Sequence, residues 1–154
     1  MHCRLLLLAL ILLAGCGDAG PEGDRFSGLW QLTSVNGQPL PSTGNTSGNA
    51  EWVAAVLQIG QQVGSFDRCM EDPSTSSRTS SSTAIATHPL SGDKLAVQYF
   101  ERRDTSSDTA SVNGSQLTLR YRFVLLGGQV QGVDVLTFAP LSGTTLPPAC
   151  SLAP

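Results

Sequence analysis

The feature that most constrains the fold is a set of short segments in which apolar and polar residues alternate. In the clearest of them, residues 117–123, every second residue is apolar, and Arg120 and Arg122 stand between the apolar positions. Successive side chains of a β-strand point to opposite faces, so this pattern predicts a strand with one buried and one polar face. Weaker forms of the same alternation occur at residues 94–102 and 130–138.

Two Asn-Gly pairs mark tight turns between such segments. Asn36 precedes Gly37, and Asn113 precedes Gly114, each after a run of strand-forming residues. Asn followed by Gly readily adopts the positive φ angles of a two-residue hairpin loop. Both pairs therefore predict β-hairpin turns.

Two other segments leave alternatives open. Trp52, Val56 and Ile59 are spaced for one face of a helix, but residues 51–59 are also rich in strand-forming side chains. A strand is favoured there, with a short helix as the alternative. Residues 73–83 consist mainly of Ser and Thr and fit either a loop or a strand with a polar outer face.

About eight short strands with hardly a convincing helix predict an all-β fold. Charged residues make up 14% of the chain and aromatic residues 6%, and 16 glycines interrupt it, a balance that favours strands and turns. An antiparallel up-and-down barrel is favoured because closure removes exposed sheet edges, and a two-sheet β-sandwich is the alternative. A barrel of about eight strands is either filled by side chains or holds one small ligand, and the sequence leaves both open.

The amino-terminal segment has the form of a signal peptide. Residues 5–13 form a short apolar run behind Arg4, whereas a transmembrane helix needs about 20 apolar residues. The run ends at residues 13–16 in Leu-Ala-Gly-Cys, which resembles the lipobox of bacterial lipoprotein precursors. The resemblance implies cleavage between Gly15 and Cys16 and attachment of acyl chains such as palmitate through the Cys16 thiol.

This resemblance divides the chain into four parts. Residues 1–15 are the signal peptide, residues 16–25 a lipidated flexible tether, residues 26–144 the β-barrel domain and residues 145–154 a proline-rich tail. The lipid implies anchoring to a membrane of the bacterial cell envelope. In the sorting rule of enteric bacteria, Asp directly after the lipidated cysteine retains a lipoprotein in the inner membrane. Because Gly17 stands there, the resemblance favours the outer membrane, facing the periplasm.

Within the domain, Gly28, Leu29 and Trp30 are similar to the glycine, any residue, tryptophan signature on the first strand of lipocalins, or calycins. The resemblance implies a lipocalin-like barrel in which Trp30 closes one end and Gly28 allows close approach of the chain. It also implies that an arginine of a late strand, Arg120 or Arg122, stacks on the Trp30 ring. The alternative for both arginines is a solvated outer face.

The cysteines predict one disulfide bond. Cys3 leaves with the signal peptide and Cys16 carries the lipid, so Cys69 and Cys150 remain as a pair in an oxidising compartment. A metal site built from this pair and His88 is disfavoured because no two of the three have the short spacing of zinc ligands. We expect no metal ion and no other cofactor.

The domain has no motif for catalysis, so we expect a binding protein rather than an enzyme. His88 is the single histidine of the mature chain, no serine lies in a nucleophile elbow, and the sequence lacks a glycine-rich phosphate loop. The net charge of −3 gives no basic footprint for nucleic acid.

Two functions remain open for such a barrel. The first is binding of a small hydrophobic ligand or lipid in the cell envelope, in a cavity lined by the larger aromatic residues, namely Trp30, Trp52, Phe66, Phe100, Tyr121, Phe123 and Phe138. The second is a structural or protein-binding, inhibitor-like role for a filled barrel. In that case loops at residues 42–49 and 73–83 would contact an envelope protein or the cell wall.

Overall fold

The alternating segments form strands, and eight of the strands close into an antiparallel barrel. The computed structural model describes residues 24–101, 107–124 and 129–153. Its strands are β1 (Gly28–Val35), β2 (Gln38–Pro39), β3 (Ser42–Thr43), β4 (Glu51–Ile59), β5 (Val63–Asp72), β6 (Ser77–Pro89), β7 (Lys94–Tyr99), β8 (Asp108–Asn113), β9 (Gln116–Val124) and β10 (Val130–Leu141). Two short 3-10 helices, Asp24–Phe26 and Ala149–Leu152, precede and follow the strands. The predicted all-β barrel is confirmed.

The barrel is closed by β1, which pairs with β10 on one side and with β4 on the other. Trp30 lies opposite Pro140 of β10 and opposite Leu57 of β4. From β4 to β10 each strand pairs with the next one along the chain, so the connectivity is up-and-down. The short strands β2 and β3 pair with β1 and β4, respectively. Because the sheet closes on itself, the two-sheet sandwich is not formed.

Both predicted hairpin turns are present. Asn36 and Gly37 have φ angles of 52° and 79° and connect β1 to β2. Gly114 has a φ angle of 59° in the turn between Asn113 and Gln116, which pair across β8 and β9. Asn36, Gly37 and Gly114 adopt the left-handed conformation that these turns need, whereas Asn113 is the last residue of β8 and not a turn residue.

The two ambiguous segments both contribute strands. Residues 51–59 form β4 rather than a helix, and β4 is buried on both faces because the carboxyl-terminal tail covers its outer side. Within residues 73–83, a turn at 73–76 leads into the polar first half of β6. In this turn Asp72 accepts hydrogen bonds from Ser74 Oγ at 2.6 Å and Ser74 N at 2.8 Å, which hold the pKa of the Asp72 carboxyl below its ordinary value.

One end of the barrel, which we call the Trp30 end, contains the start of β1 and is covered by the short helix that precedes it. Trp30 is 6% exposed and Phe26 is 1% exposed. The Trp30 Nε1 group donates a hydrogen bond of 2.8 Å to the Phe26 carbonyl oxygen. Arg25 forms an ion pair with Asp93 and donates a hydrogen bond of 2.9 Å to the Gly92 carbonyl oxygen. These contacts tie the helix to the turn between β6 and β7.

The opposite end, which we call the Trp52 end, contains the start of β4. There the loop after β3 lies against the Trp52 indole, since a Cβ atom at Gly44 would fall 2.7 Å from Trp52 Nε1. The fully buried Asp134 carboxylate accepts hydrogen bonds from the Asn45 backbone N–H at 2.6 Å and from Asn36 Nδ2 at 2.7 Å. Asp134 therefore holds this loop over one side of the barrel end.

The carboxyl-terminal tail is fixed to the outer wall of the barrel by the predicted disulfide. Cys69 and Cys150 are joined, and their Cα atoms are 5.0 Å apart. Cys69 and Ala149 are buried against Val53 of β4, in a cluster separate from the barrel interior. Because both sulfur atoms are in the disulfide and His88 is exposed, these residues do not form the alternative metal site.

None of the helices in the described residues is long and apolar enough to cross a membrane. The predicted signal peptide, the cleavage site between Gly15 and Cys16, and the tether up to residue 23 lie outside the described residues. Residues 102–106, 125–128 and 154 lie outside them as well.

Candidate functional site

The middle of the barrel is occupied by a cluster of aromatic rings centred on Phe66. The Phe66 ring centroid is 5.7 Å from that of Tyr121, 6.1 Å from Tyr99, 6.2 Å from Trp52 and 6.4 Å from Phe138. Phe66 and Phe138 have no exposed surface. Ring pairs at these separations stabilise a core beyond the area that they bury. Side chains therefore fill the region where a hollow barrel would hold a large ligand.

The aromatic residues predicted to line a cavity do not share one environment. Trp30 lies at the covered end, whereas the central cluster includes Trp52, Phe66, Tyr121 and Phe138. Phe123 is 39% exposed near the Trp52 end, and Phe100 is 66% exposed. The prediction that Phe100 lines the interior is wrong, because its neighbour Tyr99 takes the inward position at the end of β7.

A cavity of about 210 Å³ lies at the Trp52 end, next to the ring cluster. Its walls are formed by Arg68, Thr83, Tyr99, Glu101, Tyr121, Arg122 and Phe123. The tyrosines belong to the ring cluster, so one side of the cavity is aromatic, while two arginines, a threonine and a glutamate supply polar groups. Aromatic walls with a few polar groups are typical of sites for small molecules.

Arg68 reaches from β5 to β9 inside this cavity. Its Nη1 donates a hydrogen bond of 2.7 Å to the Tyr121 hydroxyl oxygen. Its guanidinium carbon lies 5.7 Å from the Phe66 ring centroid and 5.8 Å from the Tyr121 ring centroid, the geometry of cation–π contacts. Its buried Nε finds no acceptor among the described residues, and no carboxylate of that part of the chain forms an ion pair with it. Arg68 is therefore a half-buried cation without a protein counter-ion there.

Glu101 brings a carboxylate to the same cavity from the turn after β7. Its Oε2 accepts a hydrogen bond of 3.2 Å from Thr83 Oγ1. Thr83 is buried, while Glu101 is exposed at the rim. In the described ranges, no arginine or lysine forms an ion pair with Glu101. The cavity wall thus carries the Arg68 cation and the Glu101 anion, which are not paired with each other, and a second cation, Arg122, which is paired with Asp108.

The two arginines predicted to stack on Trp30 lie elsewhere. Arg120 is exposed on the outer wall, and Arg122 donates from Nε to Asp108 Oδ1 at 2.9 Å. Both alternate along β9 with inward residues such as Tyr121, so they point away from the interior. Arg122 also lies toward the Trp52 end of its strand. Neither arginine is therefore in position to stack on Trp30, and Arg120 has the solvated outer face that was the alternative.

A larger cavity of about 520 Å³ lies on the outer wall, over β8, β9 and β10. Its lining includes Lys94, Thr109, Thr118, Arg120 and Val135. The lining residues on the strands alternate with buried inward residues, so this cavity is separate from the barrel interior. The lysine and the exposed arginine give it a positive character.

Sequence reasoning missed Arg68, Glu101 and Asp134 as residues of the Trp52 end. Arg68 follows Phe66 by two positions on β5, and Asp134 precedes Leu136 by two positions on β10. Strand alternation would have placed both on the inner face. This signal is easily missed because a charged residue in a strand usually marks the solvent side.

The chain has no match in any of the three comparisons, whether with protein-family models, with curated proteins or with solved structures. The two cavities described above are the features of the described residues on which a function can be argued. The cavity at the Trp52 end combines aromatic walls with Arg68 and Glu101, which form no ion pair within the described part of the chain, whereas the outer-wall cavity is lined mainly by solvent-facing side chains.

Proposed function

We propose that this chain is a lipid-anchored β-barrel protein of the bacterial cell envelope that binds a small molecule in the cavity at the Trp52 end. The observation that carries the proposal is Arg68, a half-buried cation that faces this cavity and has no counter-ion in the described chain. Burying a charge is costly unless the charge is both paired and hydrogen-bonded, and Arg68 has the Tyr121 hydrogen bond but no ion pair among the described residues. A bound ligand would supply the missing partner, and the proposed function is binding without catalysis.

The size of the cavity restricts the ligand. A volume of about 210 Å³ corresponds to about seven water molecules at about 30 Å³ each. Below the cavity, the ring of Phe66 and its neighbours fill the barrel. The ligand we propose is therefore smaller and more polar than a membrane lipid. The sequence predicts a small hydrophobic ligand or a lipid, and of these two we retain a small ligand that also has polar groups.

The lipid anchor would leave this cavity accessible. The described chain enters the barrel through the short helix at the Trp30 end, so a tether from Cys16 attaches there. The cavity lies at the opposite end of the barrel. With Cys16 in the outer membrane, a tether attached at the Trp30 end leaves the cavity at the other end free to open toward the periplasm. The residue after Cys16 is Gly17 and not Asp, the residue that retains a lipoprotein in the inner membrane of enteric bacteria. This supports a location in the outer membrane.

The anchor is tested by Cys16→Ser, with Cys3→Ser as the matched control. We expect Cys16→Ser to abolish acylation and cleavage, because a serine hydroxyl cannot form the thioether on which the lipoprotein peptidase acts. Cys3→Ser should be processed like the wild type, since Cys3 leaves with the signal peptide. Mass spectrometry of the amino terminus measures both. A wild-type protein with an unmodified Cys16, or one that starts at another residue, would refute the anchor.

The binding site is tested by filling the cavity. Thr83 is buried on the inner face of β6, so Thr83→Tyr places a ring in the cavity, whereas Ser82→Tyr places the same ring on the outer face. We expect small probes to bind the wild type and Ser82→Tyr saturably, and to lose binding to Thr83→Tyr. The probes are leucine, 4-methylpentanoate, 3-methylbutylamine and 3-methylbutanol, which share one branched apolar body. If none of them binds, or if Thr83→Tyr binds them unchanged, the cavity is not a ligand site.

The second candidate function is binding of an envelope protein by a filled barrel. The observation in its favour is the outer-wall cavity of about 520 Å³, where Lys94 and Arg120 are exposed beside Val135. The structural or inhibitor-like alternative would use this wall rather than the interior. Substituting Lys94 or Arg120 would then weaken capture of the partner and leave the small probes unaffected.

A further inference from the structure

The guanidinium of Arg68 has more donors than the described protein satisfies. An arginine side chain carries five N–H donors in a fixed plane and is always charged. The acceptor identified for it is the Tyr121 hydroxyl, on Nη1. The rings of Phe66 and Tyr121 hold the guanidinium in place by cation–π contact, but rings do not replace an anionic acceptor. The free donors on the cavity wall therefore favour a ligand oxyanion.

A carboxylate is the oxyanion that we favour, because of its shape. It matches the planar fork of a guanidinium and forms two parallel hydrogen bonds with it. The anionic end of the ligand would therefore be a carboxylate held by Arg68.

Glu101 gives the cavity a second electrostatic feature of opposite sign. Its carboxylate lies on the same cavity wall but does not pair with Arg68, and its hydrogen bond is with Thr83. A ligand with a negative charge alone would be attracted by Arg68 and repelled by Glu101. A ligand that also carries a cation would be attracted by both. Opposite charges held apart on one small cavity are complementary to a dipolar ligand.

We infer that the ligand is a small zwitterion of the α-amino-acid type, with its carboxylate on Arg68 and its ammonium group on Glu101. This inference rests on the proposed binding function and adds the chemical class of the ligand. The apolar part of the ligand lies against Tyr99 and Tyr121, whose rings form the aromatic side of the cavity. A short aliphatic side chain, such as that of leucine, suits the volume.

The test compares the four probes on the lipidated protein in detergent micelles, by calorimetry and by the NMR shifts of Tyr121. Leucine has both charges, 4-methylpentanoate lacks the ammonium group, 3-methylbutylamine lacks the carboxylate, and 3-methylbutanol has neither. We expect leucine to bind about tenfold or more tightly than each of the others, because each missing group removes one charge-assisted contact. Thr83→Tyr serves as the background, since binding that persists there is outside the cavity.

Two substitutions assign the charges to their residues. Arg68→Met keeps an unbranched side chain against the rings but removes the cation, so leucine should bind no better than 3-methylbutylamine. Glu101→Gln keeps the shape of the side chain, so leucine should bind no better than 4-methylpentanoate, which itself should bind as well as before or better. The ranking of the four probes on the wild type stands even if Arg68→Met fails to fold.

The outcomes separate the two proposals. If 3-methylbutanol binds as tightly as leucine and Thr83→Tyr blocks both, the cavity binds ligands but the zwitterion inference is wrong. The zwitterion inference is also wrong if 4-methylpentanoate matches leucine, because Glu101 then has no role. If no probe binds above the Thr83→Tyr background, the proposed function itself fails.

Discussion

Trp30→Ala is expected to lower the free energy of unfolding by about 3 to 5 kcal/mol, the usual range for truncating a buried aromatic residue. The Trp30 ring is 6% exposed and belongs to the main core cluster. Its removal leaves a void at the Trp30 end and breaks the 2.8 Å hydrogen bond to the Phe26 carbonyl oxygen. The short helix before β1 would then lose one of its attachments to the barrel. Urea denaturation followed by circular dichroism measures the change.

Two controls make this result specific to the buried ring. Phe100→Ala truncates an aromatic residue that is 66% exposed, and its effect should stay within about 0.5 kcal/mol. Trp30→Phe keeps a ring but loses the indole N–H, so its effect should lie between those of the two alanine variants. Equal stability of Trp30→Ala and Phe100→Ala would mean that the Trp30 end does not contribute to the cooperative core.

The strands could be predicted from sequence because their signals are local. The alternation in β9 and the Asn113 and Gly114 turn before it depend on residues within a few positions of each other. The same holds for β1 and the turn at Asn36. These local patterns are enough to favour a barrel of about eight strands.

Closure of the barrel could not be predicted in the same way, because it does not depend on local patterns. It depends on β1 pairing with both β4 and β10, so that Trp30 meets Leu57 and Pro140, residues far apart in the chain. A sandwich has the same local alternation and the same turns. Only the pairing of distant strands separates the two folds, and the local patterns of one sequence do not reveal which distant strands pair.

The candidate site is the part that the sequence predicts least well. Residue type alone predicts that both Phe100 and Tyr99 can line a cavity, but they are neighbours with opposite orientations, and the end of β7 decides which one points inward. Arg68 and Glu101 meet at one cavity because β5 and the turn after β7 end at the same side of the barrel. Such a meeting depends on strand lengths and register, which the composition of each strand does not fix.

The second prediction with a large expected effect concerns the disulfide. Reduction of the Cys69 and Cys150 bond is expected to lower the free energy of unfolding by about 4 kcal/mol, because the bond closes a loop with a sequence separation of 81 and restricts the unfolded chain. Cys69→Ala, Cys150→Ala and the double variant should be destabilised to about the same extent, since each removes the same bond. Urea denaturation with and without a reducing agent measures these differences.

The position of the disulfide in the fold determines which part of the chain is released when the bond is broken. Cys69 has no exposed surface, and the short helix Ala149–Leu152 packs on the outer wall beside Val53, away from the ring cluster of the interior. Breaking the bond should release this helix first, so hydrogen exchange should rise at residues 149–152 while β9 stays protected. A reducing agent should have no effect on the two alanine variants, which serve as its controls. Two thiols that alkylate freely in the protein isolated from an oxidising compartment, or single variants whose effects add in the double, would show that the tail is held by its packing and not by the bond.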